Sequence, residues 1–195
     1  MTIRVLGIDP GLTRCGVGVV DVEPNRRATL VAVTVIRTAI DWPLEQRLLA
    51  IGDGLATLLD DWKPEAVALE RVFAQQNLGT VMGTAQVSGV ALYHAAKRGL
   101  AVGLHTPSEV KAAITGYGAA EKKQVGAMVA RVLRLAAPPS PADAADALAI
   151  AICHAWRRAT VPEITGSGAA TPAQQAWLAA ERRAAMPLLD RRLRK

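Results

Sequence analysis

The order of the apolar segments constrains the fold of this chain more than any other feature of its sequence. Three short segments rich in β-branched residues come first, at 3–8, 16–21 and 28–37, and turn residues separate them. Segments with helical spacing then alternate with two further short apolar runs, at 66–69 and 100–105. A strand meander followed by β-α-β crossovers predicts an α/β fold with a five-stranded mixed sheet and helices on both faces.

Spacing and end signals predict the helices. Thr106 to Glu109 has the pattern of a capping box, with Pro107 at the first helical position. The helix predicted from Gln76 to Arg98 is unusually rich in Gly, Ala, Ser and Thr, which would allow another backbone to approach closely. Packing against the chain's own sheet and a contact with a second copy both remain open. The other helices are predicted at about 43–62, 107–115, 121–135 and 142–158.

Length and charge indicate one domain with an appendage. The chain has 195 residues and a net charge of +6, and 51% of its residues are apolar. We expect an α/β domain at 1–158 and a basic, partly disordered tail at 159–195. Most of the net positive charge lies in this tail, which ends in Arg-Arg-Leu-Arg-Lys. A solvated segment and an arm that contacts phosphates are both compatible with that composition.

The sequence predicts a cytoplasmic protein that does not enter a membrane. Its two cysteines, Cys15 and Cys153, give neither a disulfide framework nor a metal-binding spacing. No apolar run approaches the length of a membrane span, and the first residues form a strand and turn rather than a signal peptide.

Four carboxylates stand at positions where an acid is costly. Asp9 and Glu70 each end an apolar strand, and a parallel crossover would place these two strand ends side by side. Asp143 and Asp146 are three residues apart on a predicted helix, so they share one face of it. Hard divalent cations prefer oxygen ligands, and several converging acids can hold two such ions for a phosphoryl displacement. Together with the basic surround, the four acids predict metal-dependent cleavage of a nucleic acid.

Each acid also has a simpler interpretation. Asp9 can cap the Pro-Gly turn that follows it, and Gly-Ile-Asp-x-Gly also opens sugar kinases and actin-like ATPases. Glu70 can be the last residue of an edge strand, turned outward. Asp143 stands where a capping box would place an acid. Asp146 lies inside an Ala-rich helix and has no comparable structural explanation, which favours a ligand role.

Four separated segments carry a resemblance to a known family. They are Gly-Ile-Asp-Pro-Gly at 7–11, Ala-Leu-Glu-x-Val-Phe at 68–73, Gly-x-Ala-Glu-Lys-x-Gln-Val at 118–125 and Ala-Asp-Ala-Ala-Asp-Ala-Leu-Ala-Ile-Ala at 142–151. In this order the chain resembles the RuvC family of Holliday-junction resolvases over about 2–155. The resemblance implies an RNase H-like fold, a homodimer, and magnesium-dependent nicking of two opposed strands of a four-way DNA junction. It also implies action with the RuvA–RuvB branch-migration complex.

The resemblance assigns roles position by position. It implies two Mg²⁺ ions per active site, with Mn²⁺ able to substitute, and nicks with 5′-phosphate and 3′-hydroxyl ends. The catalytic and metal-binding residues it implies are Asp9, Glu70, Asp143 and Asp146. The DNA-binding residues it implies are Phe73, Lys111 and Lys122, and Lys123 adjoins them.

Alternatives to these assignments remain open. Phe73 is the only phenylalanine and would stack on an unpaired base, whereas a loop hydrophobe tucked into the core is its simpler interpretation. Exposed lysines often only increase solubility. Three rival functions are an RNase H-like nuclease acting on RNA–DNA hybrid, an actin-like ATPase, and a junction-binding module without catalysis. No second glycine-rich phosphate motif supports the ATPase.

Overall fold

A computed structural model of the chain confirms the predicted α/β architecture. The structure describes residues 1–71 and 78–158. Ten elements alternate along it as the sequence predicts, and their ends differ from the predicted ends by only a few residues. The elements are β1 (Ile3–Asp9), β2 (Arg14–Val22), β3 (Ala28–Arg37), α1 (Leu44–Trp62), β4 (Ala66–Glu70), α2 (Leu78–Lys97), β5 (Ala101–His105), α3 (Pro107–Thr115), α4 (Lys122–Leu133) and α5 (Ala142–Arg158).

The five strands form one mixed sheet in the order β3-β2-β1-β4-β5. The meander β1-β2-β3 is antiparallel, whereas β4 runs parallel to both β1 and β5. The switch occurs at β1, which pairs antiparallel with β2 on one side and parallel with β4 on the other. The crossover that contains α1 therefore places the carboxyl ends of β1 and β4 next to each other.

Both faces of the sheet are buried under helices. On one face Val5, Val20 and Ala68 pack with α3, α4 and α5. On the other face Leu6 and Ile8 pack with α1 and α2. This alternation of adjacent residues between faces is the period of two expected for a strand. Burial of apolar area on two faces of one sheet is the main term that stabilises such a domain.

Two glycines allow α5 to lie unusually close to the sheet. A Cβ atom on Gly7 of β1 would collide with the carbonyl oxygen of Ala147, and one on Gly16 of β2 would collide with that of Asp143. Only glycine permits this approach without moving the helix backbone. The first turns of α5 are therefore held directly over the ends of β1 and β2.

The predicted capping box at the start of α3 is present. Thr106 Oγ1 accepts a hydrogen bond from the Glu109 backbone amide at 3.2 Å, and the Thr106 amide donates to Glu109 Oε2 at 2.8 Å. Gly116 ends the helix with a φ of 79°, in the left-handed region that favours glycine. These two ends fix the position of Lys111 along the helix.

Two further findings concern the cysteines and the length of the helices. Cys15 and Cys153 are both buried and free, as expected from their spacing. Among the residues described, no helix is long and apolar enough to cross a membrane.

Candidate active site

Two of the predicted acids lie side by side at one edge of the sheet. In the parallel pairing of β1 with β4, Ile8 is opposite Leu69, so Asp9 and Glu70 follow at the same level. Asp9 lies two residues after Gly7 in β1, so both residues are on the sheet face that α5 covers. The sheet register and the close approach of α5 together bring Asp9 and Glu70 toward the Asp146 side of that helix.

Asp9, Glu70 and Asp146 line one cavity of about 210 Å³. The cavity lies between the ends of β1 and β4, the first turns of α3 and α4, and α5. Its walls also contain Lys111 and Lys122, together with an apolar lining of Pro107, Val110, Val125 and Ile150. Three acids and two lysines from five elements therefore meet in one small space.

Burial and like charges make this cavity unfavourable for carboxylates. Burial, followed by the charges of Asp146 and Glu70, raises the pKa of Asp9 from 3.8 to about 7. Burial also raises the pKa of Glu70, and Asp146 adds to that effect. Lys122 opposes both shifts but does not cancel them. The cavity thus has more negative charge than its own lysines compensate.

Lys122 forms the direct ion pair of this cavity. Its Nζ lies 3.1 Å from Asp146 Oδ2. The charge of Asp146, and then the hydrogen bond to it, raise the pKa of Lys122. Its side chain is nevertheless 77% exposed. Because its side chain is exposed, Lys122 can turn from Asp146 toward a ligand outside the cavity without moving a buried charge.

Asp143 is placed differently from the other three acids. Its Oδ2 is 3.1 Å from Arg14 Nε, and it lines a neighbouring cavity rather than the one that contains Asp9. Its charge still contributes to the raised pKa of Asp9. Within residues 1–71 and 78–158, no three His, Cys, Asp or Glu side chains are arranged closely enough to hold a metal ion as they stand. Lys122 and Arg14 each form an ion pair with one of the acids.

The donor chemistry nonetheless fits a hard divalent cation. All the acidic groups are oxygen donors, which such ions prefer. Burial, and then the neighbouring acids, raise the pKa values of Asp9 and Glu70, so the ionised forms of both acids are unfavourable in this site as it stands. A divalent cation is the simplest group that would stabilise these ionised forms.

The other predicted DNA-binding residues have different outcomes. Lys111 lines the cavity, as described above. Lys123 is exposed in the first turn of α4 and does not contribute to the cavity wall. Phe73 lies outside the described residues, as does the whole of the predicted tail at 159–195. The predictions for Phe73 and for the tail therefore stay predictions.

Sequence reasoning missed two arginines near the acids, Arg14 and Arg47. Arg14 begins β2 and pairs with Asp143. Arg47 is buried on the inner face of α1 and donates to the hydroxyls of Thr38 and Thr13. A signal for Arg47 was present in the sequence, because it interrupts the apolar stripe of α1 at a position whose helical neighbours are apolar. No comparable signal marks Arg14.

Comparison with known proteins agrees with the geometry. A family model described as "Crossover junction endodeoxyribonuclease RuvC" matches residues 5–154. A protein of that name from Leifsonia xyli subsp. xyli is 71% identical over 194 residues, which covers 93% of each chain. Another from Streptomyces avermitilis is 64% identical over 155 residues, covering 80% of this chain and 88% of the relative.

Solved structures give the same result at lower identity. The structure described as "T. thermophilus RuvC in complex with Holliday junction substrate" is 36% identical and has a TM-score of 0.77. The match covers 80% of this chain and 95% of that one. The yeast mitochondrial Holliday junction resolvase Ydc2, at 16% identity and a TM-score of 0.56, shares the fold. By its sequence, its sheet topology and its relatives, this chain belongs to the RuvC family of crossover junction endodeoxyribonucleases.

Proposed function

We propose that this chain, as a crossover junction endodeoxyribonuclease, resolves four-way DNA junctions by paired, metal-dependent nicks in opposed strands. The observation that carries the proposal is the single cavity in which Asp9, Glu70 and Asp146 meet Lys111 and Lys122. The acids supply cation ligands, and the lysines supply charge for a phosphodiester. The product ends are a 5′-phosphate and a 3′-hydroxyl.

The metal would be held by Asp9, Glu70 and Asp146, with Asp143 reaching the site from the adjacent turn of α5. We propose Mg²⁺ as the ion and two ions per site, with Mn²⁺ able to substitute. When bound, the ions supply Lewis acidity at the phosphate and lower the pKa of water. The role of the chain is to hold four oxygen donors on a rigid frame, since α5 packs closely on β1 and β2 at Gly7 and Gly16, and β4 is paired with β1.

The lysines are proposed to bind the cut strand. Lys122 is exposed and bound to Asp146 by an ion pair that a cation at the acids would weaken, so it is available for a phosphate oxygen. Lys111 extends from α3 into the wall of the same cavity. Lys123 would add charge on the exposed side of α4, outside the cavity. Phe73 is proposed to stack on an unpaired base at the crossover, where such a contact contributes about 1–3 kcal/mol.

Two simultaneous nicks require two active sites, so we propose that the chain acts as a homodimer. An exposed apolar surface on α1 and α2 supports the proposal: Leu49 is 62% exposed, Met82 58% and Tyr93 61%. Gly89 lies on α2 as well, and none of the described residues comes within 4 Å of a Cβ atom placed there. Leu49, Gly89 and Tyr93 line one surface cavity, and exposed apolar area of this kind favours association. Tyr93→Glu should shift the mass measured by light scattering toward the monomer.

The domain division and the protein partners are two further parts of the proposal. The division into a nuclease domain at 1–158 and a basic tail at 159–195 is supported by the family match, which ends at residue 154. Action with the RuvA–RuvB branch-migration complex is proposed on family membership alone. Pull-down of that complex by the full chain and by a 1–158 truncation would test both points together.

The deciding experiment is cleavage of a synthetic mobile four-way junction. Linear duplex and RNA–DNA hybrid of matched sequence serve as alternative substrates, and each reaction is repeated with EDTA. We expect paired nicks confined to the junction, and none with EDTA. Ligation of the nicked products without prior treatment checks the proposed 5′-phosphate and 3′-hydroxyl ends.

The other outcomes have definite meanings. Activity on hybrid but not on the junction would retain the fold and overturn the substrate. Binding of the junction without cleavage at any divalent metal concentration would overturn the catalytic proposal and leave a recognition protein.

A further inference from the structure

A second cavity adjoins the carboxylate cavity and has the opposite character. It has a volume of about 380 Å³ and is more open to solvent. Its wall combines the β1–β2 turn, the segment before α1, and parts of α1, α2 and α5. The residues that line this arginine cavity are Gly11, Leu12, Thr13, Arg14, Ile40, Arg47, Gly83, Thr84 and Asp143.

Arg47 is the unusual residue of the arginine cavity. It is only 8% exposed, so its charge has been largely removed from water. Its Nε donates to Thr38 Oγ1 at 3.0 Å and its Nη2 to Thr13 Oγ1 at 2.8 Å. In the part of the chain that the structure describes, no carboxylate forms an ion pair with it. Burial of a cation without an anion is costly, and two neutral hydroxyls do not compensate the charge.

The two hydroxyl contacts involve only two of the N–H donors of the Arg47 guanidinium. An arginine side chain has five N–H donors in a planar fork, and the threonines accept from two of them. The group is therefore held in a fixed orientation at the cavity wall while donors remain. A planar fork of this kind matches two oxygens of one phosphate.

Neighbouring charges strengthen the same interpretation. Arg14 lies in the arginine cavity, and the Arg37 backbone is directly opposite Arg14 in the β2–β3 pairing. Like charges opposite each other on adjacent strands repel, so further negative charge nearby is favourable. Among the described residues, the only acid in the cavity wall is Asp143, which is bonded to Arg14 and therefore does not compensate Arg47. The cavity thus has a net positive charge.

The two cavities lie next to each other along α5. Asp143 lines the arginine cavity and Asp146 the carboxylate cavity, and three residues of an α-helix rise by about 4.5 Å. Successive phosphates of one DNA strand are closely spaced, at about 3.4 Å of helix axis each. The adjacency of the two cavities on α5 is therefore compatible with one strand passing from the acids to the arginine cavity.

We propose that the arginine cavity is a binding site for an uncut backbone phosphate of the same strand that is nicked at the acids, with Arg47 as its fixed donor and Arg14 as its movable one. This inference rests on the proposed junction-cutting function. It adds an interaction that would position the strand, and Arg14 would share its charge between Asp143 and that phosphate.

The test is the salt dependence of junction binding, measured by fluorescence anisotropy in EDTA so that no cleavage occurs. The slope of log K against log of the KCl concentration becomes shallower by about 0.9 for each duplex phosphate that the protein no longer neutralises. We expect this decrease for Arg47→Gln, with about threefold to tenfold weaker binding at moderate salt. Arg27→Gln removes the same charge at the opposite end of the β2–β3 hairpin and should retain the wild-type slope.

A second pair of variants guards against misfolding of Arg47→Gln. Ile40 is 82% exposed and lines the arginine cavity, so its substitution should leave the fold intact. Ile40→Glu introduces a carboxylate beside the arginines and should weaken binding and reduce the slope, whereas Ile40→Gln should not. Thermal melts of all four variants identify any loss of fold.

The outcomes separate this inference from the proposed function. Failure of the wild-type chain to bind the junction would overturn both. Wild-type binding with unchanged slopes for folded Arg47→Gln or for Ile40→Glu would overturn the phosphate site alone. An equal decrease for Arg27→Gln would also overturn it, because the effect would then reflect overall charge.

Discussion

The two ends of β1 carry charged side chains in opposite electrostatic states. Near its first residues, Arg4 forms a two-point ion pair with Asp21, with Nε–Oδ1 and Nη2–Oδ2 distances of 2.8 Å. The hydrogen bond to Asp21 raises the pKa of Arg4 and so stabilises its charged form. At the last residue, burial and neighbouring acids raise the pKa of Asp9 to about 7 and so destabilise its charged form.

The two ends differ in whether the chain's own residues compensate their charges. The chain compensates its own charges at the Arg4 end, and that end needs no ligand. At the Asp9 end the acids exceed the cations that face them, and a cation from outside would complete the site. An arrangement that is unfavourable in isolation and favourable with a ligand is typical of functional sites.

The largest expected effect is on cleavage. Asp9→Asn keeps the size of the side chain but removes a charge that the proposed metal site requires. We expect the nicking rate at saturating Mg²⁺ to fall by at least about 10²–10³-fold, the range seen for the loss of a single electrostatic group in an active site. Junction binding in EDTA should change little.

Asp21→Asn is the matched control, because it makes the same chemical change on the strand next to the other end of β1. It should nick at close to the wild-type rate. Wild-type activity in Asp9→Asn would show that Asp9 holds no essential ion.

The same substitution should have the opposite effect on stability without metal. The pKa of Asp9 is higher in the folded protein than its ordinary value of 3.8, so ionised Asp9 opposes folding above pH 7. One pKa unit corresponds to about 1.4 kcal/mol, so we expect Asp9→Asn to be more stable than wild type at pH 8 in EDTA by up to about 4 kcal/mol. The difference should shrink as the pH falls and vanish near pH 4. Urea denaturation at several pH values measures it.

A control of opposite sign is available at Asp60. The hydrogen bond from Arg98 lowers the pKa of this exposed acid, so its ionised form favours folding. Asp60→Asn should therefore destabilise the protein at neutral pH, and the difference should be lost only as the pH falls below 3.8. Destabilisation by Asp9→Asn at pH 8 would contradict the electrostatic account of the cavity.

A smaller effect is expected from the lysine that faces the acids. Lys122→Gln removes the ion pair with Asp146 and the proposed phosphate contact. We expect about a tenfold loss in nicking rate together with weaker junction binding. Lys123→Gln, which removes the adjacent exposed charge, should cost about twofold or less. Equal losses for the two variants would show that only the net charge of α4 matters.

The smallest effect is expected at the Arg4 end. The side chains of Arg4 and Asp21 are 36% and 28% exposed, and pairs in such surroundings contribute about 0.5–1 kcal/mol. A double-mutant cycle with Arg4→Gln and Asp21→Asn, measured by urea denaturation, should give a coupling energy in this range. The coupling should decrease at high salt, and nicking should be unaffected throughout. A change in nicking would mean that the two ends of β1 are not independent.

Most of the fold could be predicted from the sequence because its signals are local. The β-branched runs, the Pro and Gly punctuation and the capping box at Thr106 each act within a few residues, and the structure confirms them. The parallel placement of Glu70 beside Asp9 also followed, since a crossover with one helix allows few other arrangements. The candidate acids were identified because an acid at the end of an apolar strand is conspicuous.

Only the tertiary structure determined how the charges are shared. That Asp146 pairs with Lys122 while Asp143 turns to Arg14 depends on how α5 packs on the sheet, which includes its close approach at Gly7 and Gly16. The tertiary structure alone also determined the partners of Arg47, because the two threonines to which it donates are 34 and 9 residues away in sequence. The sequence alone determined which residue types were available at the strand ends. The packing of α5 and α1 against the sheet decided which of them meet, because electrostatic contacts depend on distances of a few ångströms that sequence spacing does not encode.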